Sequence, residues 1–581
     1  MISKTPQFDK ALDKVLHELI PHARECDQRD ISEYCEKKFE ITDQDIEFLK
    51  ILRVPPPIQC PTCRRQRRFS FMNWTRLFKR PCNAPGHNEE IISSVSTSCP
   101  FPVVDIPYYQ SSYFDPTRMG FVSDIGKSFW SQFYELRRRV PLPAMVQEPS
   151  NVNAEYSMGG RNSKNVYYAT GVFNSEDILY ANGIRDCREC MDIIFVTKAD
   201  RVYEAIRSEN IVNSSYIYFS EECIDSMFLF DCRNCINCFG CVNLRNKSFC
   251  FFNEQLSREA YLEKIKAFDM GDRKTLRSLL DRFWSFVKSR PIRASQNFSS
   301  ERVNGVSISQ SRDLDYVIAA ENSGHVRHSE DILGHHDSMD VTVSGGHSHH
   351  LYETSNVGSQ SSVTKFSFTS KYITDSEFLL NCKRCKNCFG CVGLEDKSFY
   401  ILNIPYKPDE YWSTVDKIKL AMLGRGEYGM GVPISFSPYA YNITLANVPF
   451  PLASEAVTRL HGYSQGETES NVKNMPTLKS DEVPRSIDDV SDTIIQTAVL
   501  SEHSGRPFRI VPKELEFYRR HRLSIPLSHP YERMDARTRI MGSYKAYRAV
   551  CSHCGKNIQS AFDPAEGFTL YCDMCYQNEV L

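Results

Sequence analysis

The stretch DCRNCINCFGCVNLRNKSFCFFNE (231–254) recurs as NCKRCKNCFGCVGLEDKSFYILNI (381–404), 150 residues further along the chain. Upstream of both copies, SEDIL occurs at 175–179 and again at 329–333. Each copy is followed by sequence of helical type, SREAYLEKIKAF after the first and KPDEYWSTVDKIKLAML after the second. Because a repeated sequence unit predicts a repeated structural unit, we expect two related modules, each with a helical tail.

A shorter period runs inside the first module. Apolar or cysteine positions recur every 12 residues, and β-forming segments such as NVYYAT and DILYAN surround them. Fixed-period apolar positions with Asn, Asp and Ser between them are typical of stacked repeats. We therefore predict a β-solenoid-like stack, with a meandering β-sandwich as the alternative. The series is Val166, Ile178 and Cys190, followed by Ile211, Cys223 and Cys235.

The two ends of the chain form a second repeat. A shift of 469 residues places FEITDQDIEFLKILRVPPPIQCPTCRRQRR (39–68) on FRIVPKELEFYRRHRLSIPLSHPYERMDAR (508–537) without a gap. The identical pairs include Phe48 with Phe517 and Arg68 with Arg537. We therefore expect one small module at both ends, built from a short helix, a proline turn, an arginine-rich segment and a metal knuckle.

The C-terminal module contains CSHCGKNIQSAFDPAEGFTLYCDMC (551–575), a C-x2-C-x17-C-x2-C pattern. Zinc in structural sites takes four ligands in a tetrahedron, and each C-x2-C turn offers two thiolates. With four protein ligands the site is closed to substrate, so we expect zinc to hold the module together. The predicted ligands are Cys551, Cys554, Cys572 and Cys575.

The N-terminal module carries a changed set of ligands. Cys60 and Cys63 form a C-x2-C pair, but their repeat partners are His529 and Glu532. This pair needs two further ligands, for which Cys35 and Cys26 are the candidates, and a second zinc site is possible. The alternative is that these are buried thiols without metal. The candidates for the second site are Cys82, His87 and Cys99.

A basic segment, RRQRRFSFMNWTRLFKR (64–80), follows the N-terminal knuckle and contains no acidic residue. Arginines grip phosphates and interleaved aromatic rings stack on bases, so this composition suits single-stranded nucleic acid. The alternatives are a solvated helix face with core aromatics, or a protein contact. The candidate residues at the two ends are Arg64, Arg65, Arg67, Arg68, Arg76, Lys79, Arg80, Arg533, Arg537 and Arg548.

The cysteine-rich cores of the two modules, CRNCINCFGC and CKRCKNCFGC, space their thiols by three residues. The spacing resembles an iron–sulfur loop but lacks its longer last interval and following proline. Cysteine also packs well as a small apolar residue, so we favour stacked structural thiols over bound zinc or an iron–sulfur cluster.

The second module concentrates histidines that the first module lacks. Imidazoles that converge across a stack can bind a metal or perform acid–base chemistry, which indicates a metal-dependent hydrolase as one alternative function. A histidine-rich segment such as SGGHSHH can equally be an exposed polar loop. The residues of this candidate cluster are His325, His335, His336, His347 and His349.

Length and composition bound the class of protein. The chain has 581 residues, 22 of them cysteine, a formal net charge of −2 and a mean hydropathy of −0.41. This excludes a polycation that coats nucleic acid through bulk charge and also a disordered chain. The N-terminal sequence shows no secretory signal, and no apolar run is long enough for a bilayer. We therefore expect a cytoplasmic, multidomain protein with reduced cysteines and no membrane association.

The motifs ITDQDIEFLKILRVPPPIQCPTCRRQRR, NCFGCVNLRNKSF and YCDMCY make the chain similar to one group of proteins. It resembles the large, cysteine-rich, zinc-ribbon-flanked repeat proteins of small-genome candidate-phylum bacteria. The resemblance covers most of the chain except 430–500. It implies zinc modules at both ends and a repeat body between them, and it supplies no activity. Members carry complete knuckles near 32–35 and 82–85, where this chain has Ser32 and Pro85.

The sequence thus predicts a mixed, mainly β protein: two tandem β-solenoid-like, cysteine-rich modules with helical tails, flanked by homologous zinc-ribbon or treble-clef-like modules. The predicted function is a non-enzymatic zinc-binding scaffold or adaptor that binds nucleic acid or a ribonucleoprotein. The alternative is a protein–protein assembly unit that self-associates. The expected segments are an N-terminal zinc module (1–110), a helical connector (111–150), the two repeat modules (151–295 and 296–425), an irregular linker (426–507) and a C-terminal zinc module (508–581).

Overall fold

The structure is a computed structural model that describes most of the chain. The described residues are 3–73, 75–148, 150–154, 156–185, 191, 193–197, 204–466, 475–542 and 544–580. Cys187 and Cys190, which belong to the cysteine series of the first module, lie outside these ranges. No helix in the described part combines the length and apolar character that a bilayer crossing requires.

The backbone of the first module turns at every third residue. Asn213, Tyr216, Phe219 and Glu222 all have positive φ, between 46° and 59°. Asn and Gly tolerate this left-handed conformation, whereas aromatic residues adopt it rarely. The aromatic positions are supported by stacking, as in the pair Tyr216 and Phe228, whose ring centroids lie 4.9 Å apart. The residue that follows each turn points into the core.

The strands of the first module pair in parallel with a register of 12 residues. Ser215 pairs with Met227, and Met227 pairs with Phe239. The strand order follows the chain from one neighbour to the next. A meandering sandwich requires antiparallel neighbours, which in this sheet occur only between the last two described strands. The parallel ladder therefore excludes the sandwich alternative for the first module.

The second module repeats this arrangement with longer strands. Thr374 pairs with Lys386, and Arg312 pairs with Gly324, again 12 residues apart. One insertion widens the register to His335 with Ser348. The core of this ladder contains a short row of aliphatic side chains, namely Ile308, Leu314, Val317, Val326, Ile332, Val341, Leu351 and Val357.

The secondary structure of the described chain is mixed and mainly β. The helices are α1 (Pro6–His17), α2 (Asp43–Leu52), α3 (Pro61–Phe69), α4 (Ile106–Tyr109), α5 (Phe129–Arg139), α6 (Arg258–Lys266), α7 (Arg273–Lys288), α8 (Pro408–Gly424), α9 (Ser454–Arg459), α10 (Pro512–Arg520), α11 (Pro530–Ile540) and α12 (Asp573–Val580). The strands before the first ladder are β1 (His22–Glu25), β2 (Lys38–Ile41), β3 (Phe78–Pro81), β4 (Glu90–Ser93), β5 (Val103–Val104) and β6 (Leu142–Pro143).

The two ladders and the C-terminal region contain the remaining strands. The first ladder and its following strand are β7 (Lys164–Tyr167), β8 (Thr170–Phe173), β9 (Glu176–Leu179), β10 (Asn182–Arg185), β11 (Ile194–Thr197), β12 (Ala205–Glu209), β13 (Ser215–Tyr218), β14 (Met227–Phe230), β15 (Phe239–Val242), β16 (Cys250–Phe251), β17 (Glu254–Gln255) and β18 (Pro291–Arg293). The second ladder is β19 (Glu301–Ser309), β20 (Arg312–Glu321), β21 (Gly324–Arg327), β22 (Glu330–Leu333), β23 (His335–Ser344), β24 (Ser348–Gly358), β25 (Ser362–Lys365), β26 (Phe368–Lys371), β27 (Thr374–Leu380), β28 (Lys386–Val392), β29 (Ser398–Ile401) and β30 (Ile404–Pro405). The last strands are β31 (Thr477–Leu478), β32 (Ala498–Leu500), β33 (Pro507–Arg509), β34 (Tyr547–Val550), β35 (Asn557–Ser560) and β36 (Thr569–Tyr571).

The chain divides into two compact units whose segments alternate along the sequence. The first unit consists of Met1–Met145, Ser295–Gly466 and Tyr544–Ala546. The second consists of Val146–Ala294, Glu467–Ser543 and Tyr547–Leu581. Each unit therefore combines one terminal module with one ladder, and neither is continuous in the sequence.

The terminal modules have the same order of elements in both units. Helix α2 is followed by α3 and the antiparallel hairpin β3–β4, as α10 is followed by α11 and the hairpin β34–β35. The helix starts are set locally: Thr42 caps α2 by accepting a hydrogen bond from the backbone N–H of Asp45 at 3.2 Å. A proline stands at the start of both α3 and α11, where its missing N–H costs nothing.

Candidate metal centres

The C-terminal cluster brings the four predicted zinc ligands together. The Sγ atoms of these four cysteines lie within 4.8 Å of one another. Cys551 follows β34, and Cys572 immediately precedes α12, so a hairpin and a helix start supply the two halves. The Sγ atoms of Cys554 and Cys572 are 3.8 Å apart. Four cysteine ligands at this separation suit tetrahedral zinc, and the site binds structural zinc.

Backbone amides favour the ionised form of one ligand in this cluster. Burial opposes ionisation of Cys551, but the backbone N–H groups of Cys554 and Cys572 lower the pKa of its thiol to about 6. The N–H of Cys572 donates to Cys551 Sγ at 3.2 Å, and that of Cys575 donates to Cys572 Sγ at 3.5 Å. Since zinc binds thiolates, these amides prepare the knuckle for the metal.

The N-terminal cluster consists of Cys26, Cys35, Cys60 and Cys63, whose Sγ atoms also lie within 4.8 Å of one another. This confirms the prediction that Cys35 and Cys26 complete the Cys60–Cys63 pair. Cys60 and Cys63 stand at the start of α3, and Cys26 follows β1. Hydrogen bonds from Cys60 and then Cys63 hold the pKa of the Cys26 thiol well below its usual range. The donors fit a second structural zinc, in which Cys26 supplies the ligand that Ser32 cannot.

A third group has a different composition from the one predicted. Cys82 and His87 lie together as expected, but their neighbours are Glu89 and Asp105. His87 Nδ1 is 2.6 Å from Asp105 Oδ2 and 3.7 Å from Cys82 Sγ. Cys99 is not a member of this group, which corrects the predicted ligand set. The sequence did not indicate the carboxylates because a single Asp far from a knuckle has no motif.

The comparisons with known proteins address one of these centres. Residues 545–580 match the model of a family described as a probable treble clef zinc finger. No curated protein and no solved structure matched the chain. The match covers the C-terminal cysteine cluster and its hairpin and helix, and it agrees with the geometry of a structural zinc site.

The structure corrects the prediction that the arginines of α3 contact nucleic acid. Arg64 and Arg68 are 2% and 0% exposed and point into the second ladder of the same unit. Arg64 Nε lies 2.8 Å from Asp340 Oδ2, and Arg68 Nη1 lies 2.9 Å from Asp340 Oδ1. Arg67 Nη2 is likewise 2.7 Å from Glu353 Oε2. These guanidinium groups are fully used inside the unit and present no charge to a ligand.

The carboxylates that receive these arginines are themselves deeply buried. Asp340 and Glu353 are 0% and 1% exposed. Burial opposes the ionisation of Asp340, but Arg64 and Arg68 keep its pKa below the usual range. A buried carboxylate is tolerated only when it is paired and hydrogen-bonded. Helix α3, which begins at zinc ligands, therefore joins the terminal module to the ladder through ion pairs.

The C-terminal copy uses its equivalent arginines in the same way. Arg533 and Arg537 are 7% and 3% exposed. Arg533 Nη2 lies 3.4 Å from Oε1 of Glu514, which is fully buried. The nucleic-acid prediction is thus corrected for both residues, because each side chain is enclosed in the second unit. Arg548, in contrast, is exposed.

The remaining predicted basic residues are divided between surface and interior. Lys79 is exposed, and Arg76 is half-buried. Arg80 is 6% exposed and donates from Nη1 to the Ser96 carbonyl at 2.9 Å. Arg65 is half-buried and donates to the Tyr544 carbonyl at 2.6 Å. These residues do not form one exposed basic strip.

The predicted histidine cluster is spread over different faces of the second ladder. His335 lies in the core, whereas His336 and His347 are exposed. His325 Nδ1 is 2.7 Å from Asp337 Oδ1, and His349 Nδ1 is 2.8 Å from His350 Nδ1. The groups able to hold a metal that were found in the described residues include none of these histidines. The geometry therefore does not bring a hydrolase site together here.

Burial of His335 makes the first unit sensitive to acid. Burial lowers the pKa of its imidazole to about 4. The unfolded chain takes up this proton near pH 6.5, so stability is lost as the pH falls from 6.5 towards 4. We expect His335→Ser to remove about 3 kcal/mol of this loss. Serine occupies the neighbouring positions of the same core row, at Ser323 and Ser348.

Urea unfolding of His335→Ser between pH 7 and pH 4 tests this expectation. The variant should show a flatter dependence of unfolding free energy on pH than the wild type. His336→Ser changes an exposed imidazole in the adjacent position and serves as the matched control. Equal pH slopes for wild type and His335→Ser would show that this buried imidazole does not govern the acid sensitivity.

The thiols inside the ladders have the geometry of hydrogen-bond donors. Cys232 Sγ donates to the Phe230 carbonyl at 3.6 Å and to the Cys241 carbonyl at 3.5 Å. Ser208 Oγ makes the same two contacts, with the carbonyls of Ile206 and Ile217. The cysteines therefore take the place of serine in the repeat, as the preferred structural interpretation predicts. The metal-capable groups found in the described chain include no ladder thiol.

Proposed function

We propose that the protein is a non-enzymatic, zinc-stabilised scaffold that binds a protein partner along its first ladder. In this proposal the two ladders are short β-solenoids, and the zinc modules fix one end helix and hairpin to each unit. The single observation that carries the proposal is an exposed apolar row on the first ladder. The same observation favours the protein–protein alternative over nucleic acid.

The row consists of Val212, Ile224 and Ile236. Their side chains are 39%, 37% and 39% exposed, and parallel bridges join Val212 to Ile224 and Ile224 to Ile236. Successive β-bridged residues lie about 4.8 Å apart. The three side chains thus form a straight apolar strip with the spacing of a β-sheet. Such a strip suits an extended polypeptide better than a phosphate backbone.

Hydrogen-bonded side chains hold the borders of this strip in place. Asn213 Nδ2 donates to Asp225 Oδ1 at 2.6 Å on one side. Asn234 Nδ2 donates to Asn246 Oδ1 at 2.7 Å on the other part of the ladder. Because these amides are already ordered, a partner that docks on the strip loses little further side-chain entropy from the scaffold.

Charge neutralisation weighs against nucleic acid at the exposed basic residues of the second unit. Arg519 Nη1 lies 2.6 Å from Asp492 Oδ1, and Arg522 Nη2 lies 3.0 Å from Asp488 Oδ2. Affinity for a phosphate backbone depends on unneutralised cations. The formal net charge of −2 supplies no general attraction either.

The non-enzymatic part of the proposal rests on the metal centres. Both four-cysteine clusters provide a full tetrahedral set of protein ligands, which leaves no position for a substrate or a water molecule. Zinc in such a site stabilises the fold, and the residues around it position α3 and α12. Catalysis at zinc requires an open ligand position, which a four-cysteine site lacks.

Site-specific photo-crosslinking in the cells that make the protein tests the proposal. A photoreactive amino acid at Ile224 or at Ile236 is expected to give the same discrete crosslinked protein, unaffected by nuclease. The matched control places the probe at the exposed Lys274 of α7 in the same unit. The added substitution Val212→Asp should reduce the crosslink at least tenfold.

The identity of the crosslinked product decides the outcome. A second copy of this chain or another protein, identified by mass spectrometry, supports the scaffold proposal. Nuclease-sensitive products, or identical products from Ile224 and Lys274, contradict it. Light scattering of the purified chain with and without Val212→Asp separates self-association from a different partner.

A further inference from the structure

Two buried arginines in the first unit lack the carboxylate partner that the other buried arginines have. Arg80 and Arg137 are 6% and 2% exposed. Arg68 and Arg327, which are equally buried, each face an aspartate at 2.8–2.9 Å. No carboxylate oxygen within 4.0 Å of Arg80 or Arg137 is recorded for the described residues. Guanidinium groups stay protonated, so their charge needs another counter-ion.

Cys99 takes the position of that counter-ion beside Arg80. Arg80 donates to the Ser96 carbonyl at 2.9 Å and to Asn83 Oδ1 at 3.3 Å. Its remaining hydrogen-bonding contact is the Cys99 side chain, which also contacts the hydroxyl of Tyr463. Cys99 is therefore held between a cation and a phenol, away from the zinc clusters.

Arg137 approaches the same thiol from α5. Its guanidinium lies over the Phe101 ring at 4.1 Å, and its Nε lies 3.4 Å from the Phe436 carbonyl. Its Nη1 is buried with no hydrogen-bond partner among the described residues. Burial lowers the pKa of this guanidinium to about 10, and Cys99 is the first group that opposes the effect. Arg137 thus has a spare donor beside Cys99.

The surroundings of Cys99 differ from those of the ladder thiols. Cys388 Sγ, for example, donates to the Lys386 carbonyl at 3.5 Å and to the Lys397 carbonyl at 3.6 Å. A donor to carbonyl oxygen must keep its proton. The described hydrogen bonds include none from Cys99 Sγ to a backbone carbonyl, and cations face this sulfur instead.

We propose that Cys99 is a thiolate paired with Arg80 and Arg137, and that it is a modification site for small electrophiles such as hydrogen peroxide. Positively charged surroundings are the ones that create reactive cysteines. A thiol ionises more readily than the neighbouring phenols, so it is the group that neutralises the arginines. Cys99 is 8% exposed and stands between the exposed Ser98 and Pro100, which gives a small molecule access.

The reaction with hydrogen peroxide balances without another reactant. The Cys99 sulfur attacks one peroxide oxygen, an S–O bond forms and the O–O bond breaks. The sulfur loses two electrons and becomes a sulfenic acid, while the departing hydroxide takes a proton from solvent and leaves as water. The spare N–H of Arg137 is placed to donate to the oxygen on which negative charge develops.

Limited alkylation of the full-length, zinc-loaded protein tests the proposal. Iodoacetamide at a substoichiometric ratio, followed by peptide mapping, should modify Cys99 at least ten times faster than Cys388. Arg137→Met should slow the reaction at Cys99 at least tenfold, and the exposed neighbour Arg138→Met should leave it unchanged. A sulfenic acid trap after peroxide treatment should label the same residue.

An absorbance measurement keeps the proposal falsifiable if Arg137→Met does not fold. The difference in absorbance near 240 nm between wild type and Cys99→Ser, at neutral pH, reports one thiolate if the proposal holds. The zinc thiolates are common to both proteins and cancel in the difference. The absence of this signal, or a rate at Cys99 no greater than at Cys388, overturns the proposal.

Discussion

Replacement of Cys60 by serine is expected to remove one zinc equivalent per chain and to unfold the N-terminal module of the first unit. Cys60 provides a ligand and also caps α3, where its Sγ accepts from the Cys63 N–H at 3.5 Å. Structural zinc contributes on the order of 10 kcal/mol of binding free energy, which in such modules is folding free energy. Metal analysis and hydrogen exchange of residues 22–69 measure the two effects.

Cys388→Ser provides the matched control for this prediction. Its Sγ makes the two carbonyl contacts that serine hydroxyls make elsewhere in the ladders. It should leave the zinc content and the exchange of residues 22–69 as in the wild type. An unchanged zinc content in Cys60→Ser would refute the assignment of the N-terminal cluster as a metal site.

Replacement of Arg68 by methionine is expected to destabilise the first unit by about 3–5 kcal/mol, because it leaves buried carboxylates without their partner. Arg68 is fully buried and contacts Asp340, Glu330 and the hydroxyl of Thr342. Methionine keeps much of the volume, so the loss reports charge more than packing. Urea unfolding, followed by hydrogen exchange in β23 and β24, measures the change.

Two further variants identify the cause of this loss. Arg138→Met removes an exposed arginine and should cost less than about 0.5 kcal/mol. Arg68→Met combined with Asp340→Asn should recover part of the stability, since the unpaired charge is then gone. A loss below 1 kcal/mol for Arg68→Met alone would mean that the ion pairs do not hold α3 to the ladder.

The sequence was most informative where the spacing of residues carries a chemical requirement. The C-x2-C pairs predicted both four-cysteine clusters, including the distant Cys26 and Cys35, because zinc needs four soft ligands. The 12-residue period predicted the parallel register of the ladders. The element order of the terminal modules followed from the 469-residue repeat, in which Arg64 matches Arg533 and Arg68 matches Arg537.

The same arginines show where sequence reasoning failed. A run such as RRQRR has no acidic residue within it, so the sequence suggested an external anion. The partners are Asp340 and Glu353, almost 300 residues away, on β23 and β24. A long-range ion pair has no local pattern. The identity of Arg64 and Arg68 with their repeat partners was the available clue, because both copies bury them.

The alternation of the two units along the chain has a consequence for biosynthesis. When the N-terminal module leaves the ribosome, the carboxylates that receive its arginines have not been translated. The first unit lacks its ladder until residue 466, and the second lacks its zinc cluster until Cys575. The arginine face of α3 and the open ladder of residues 146–294 must therefore wait during translation. The nascent chain needs chaperone cover over most of its length, and zinc delivery to the last knuckle becomes a late checkpoint of assembly.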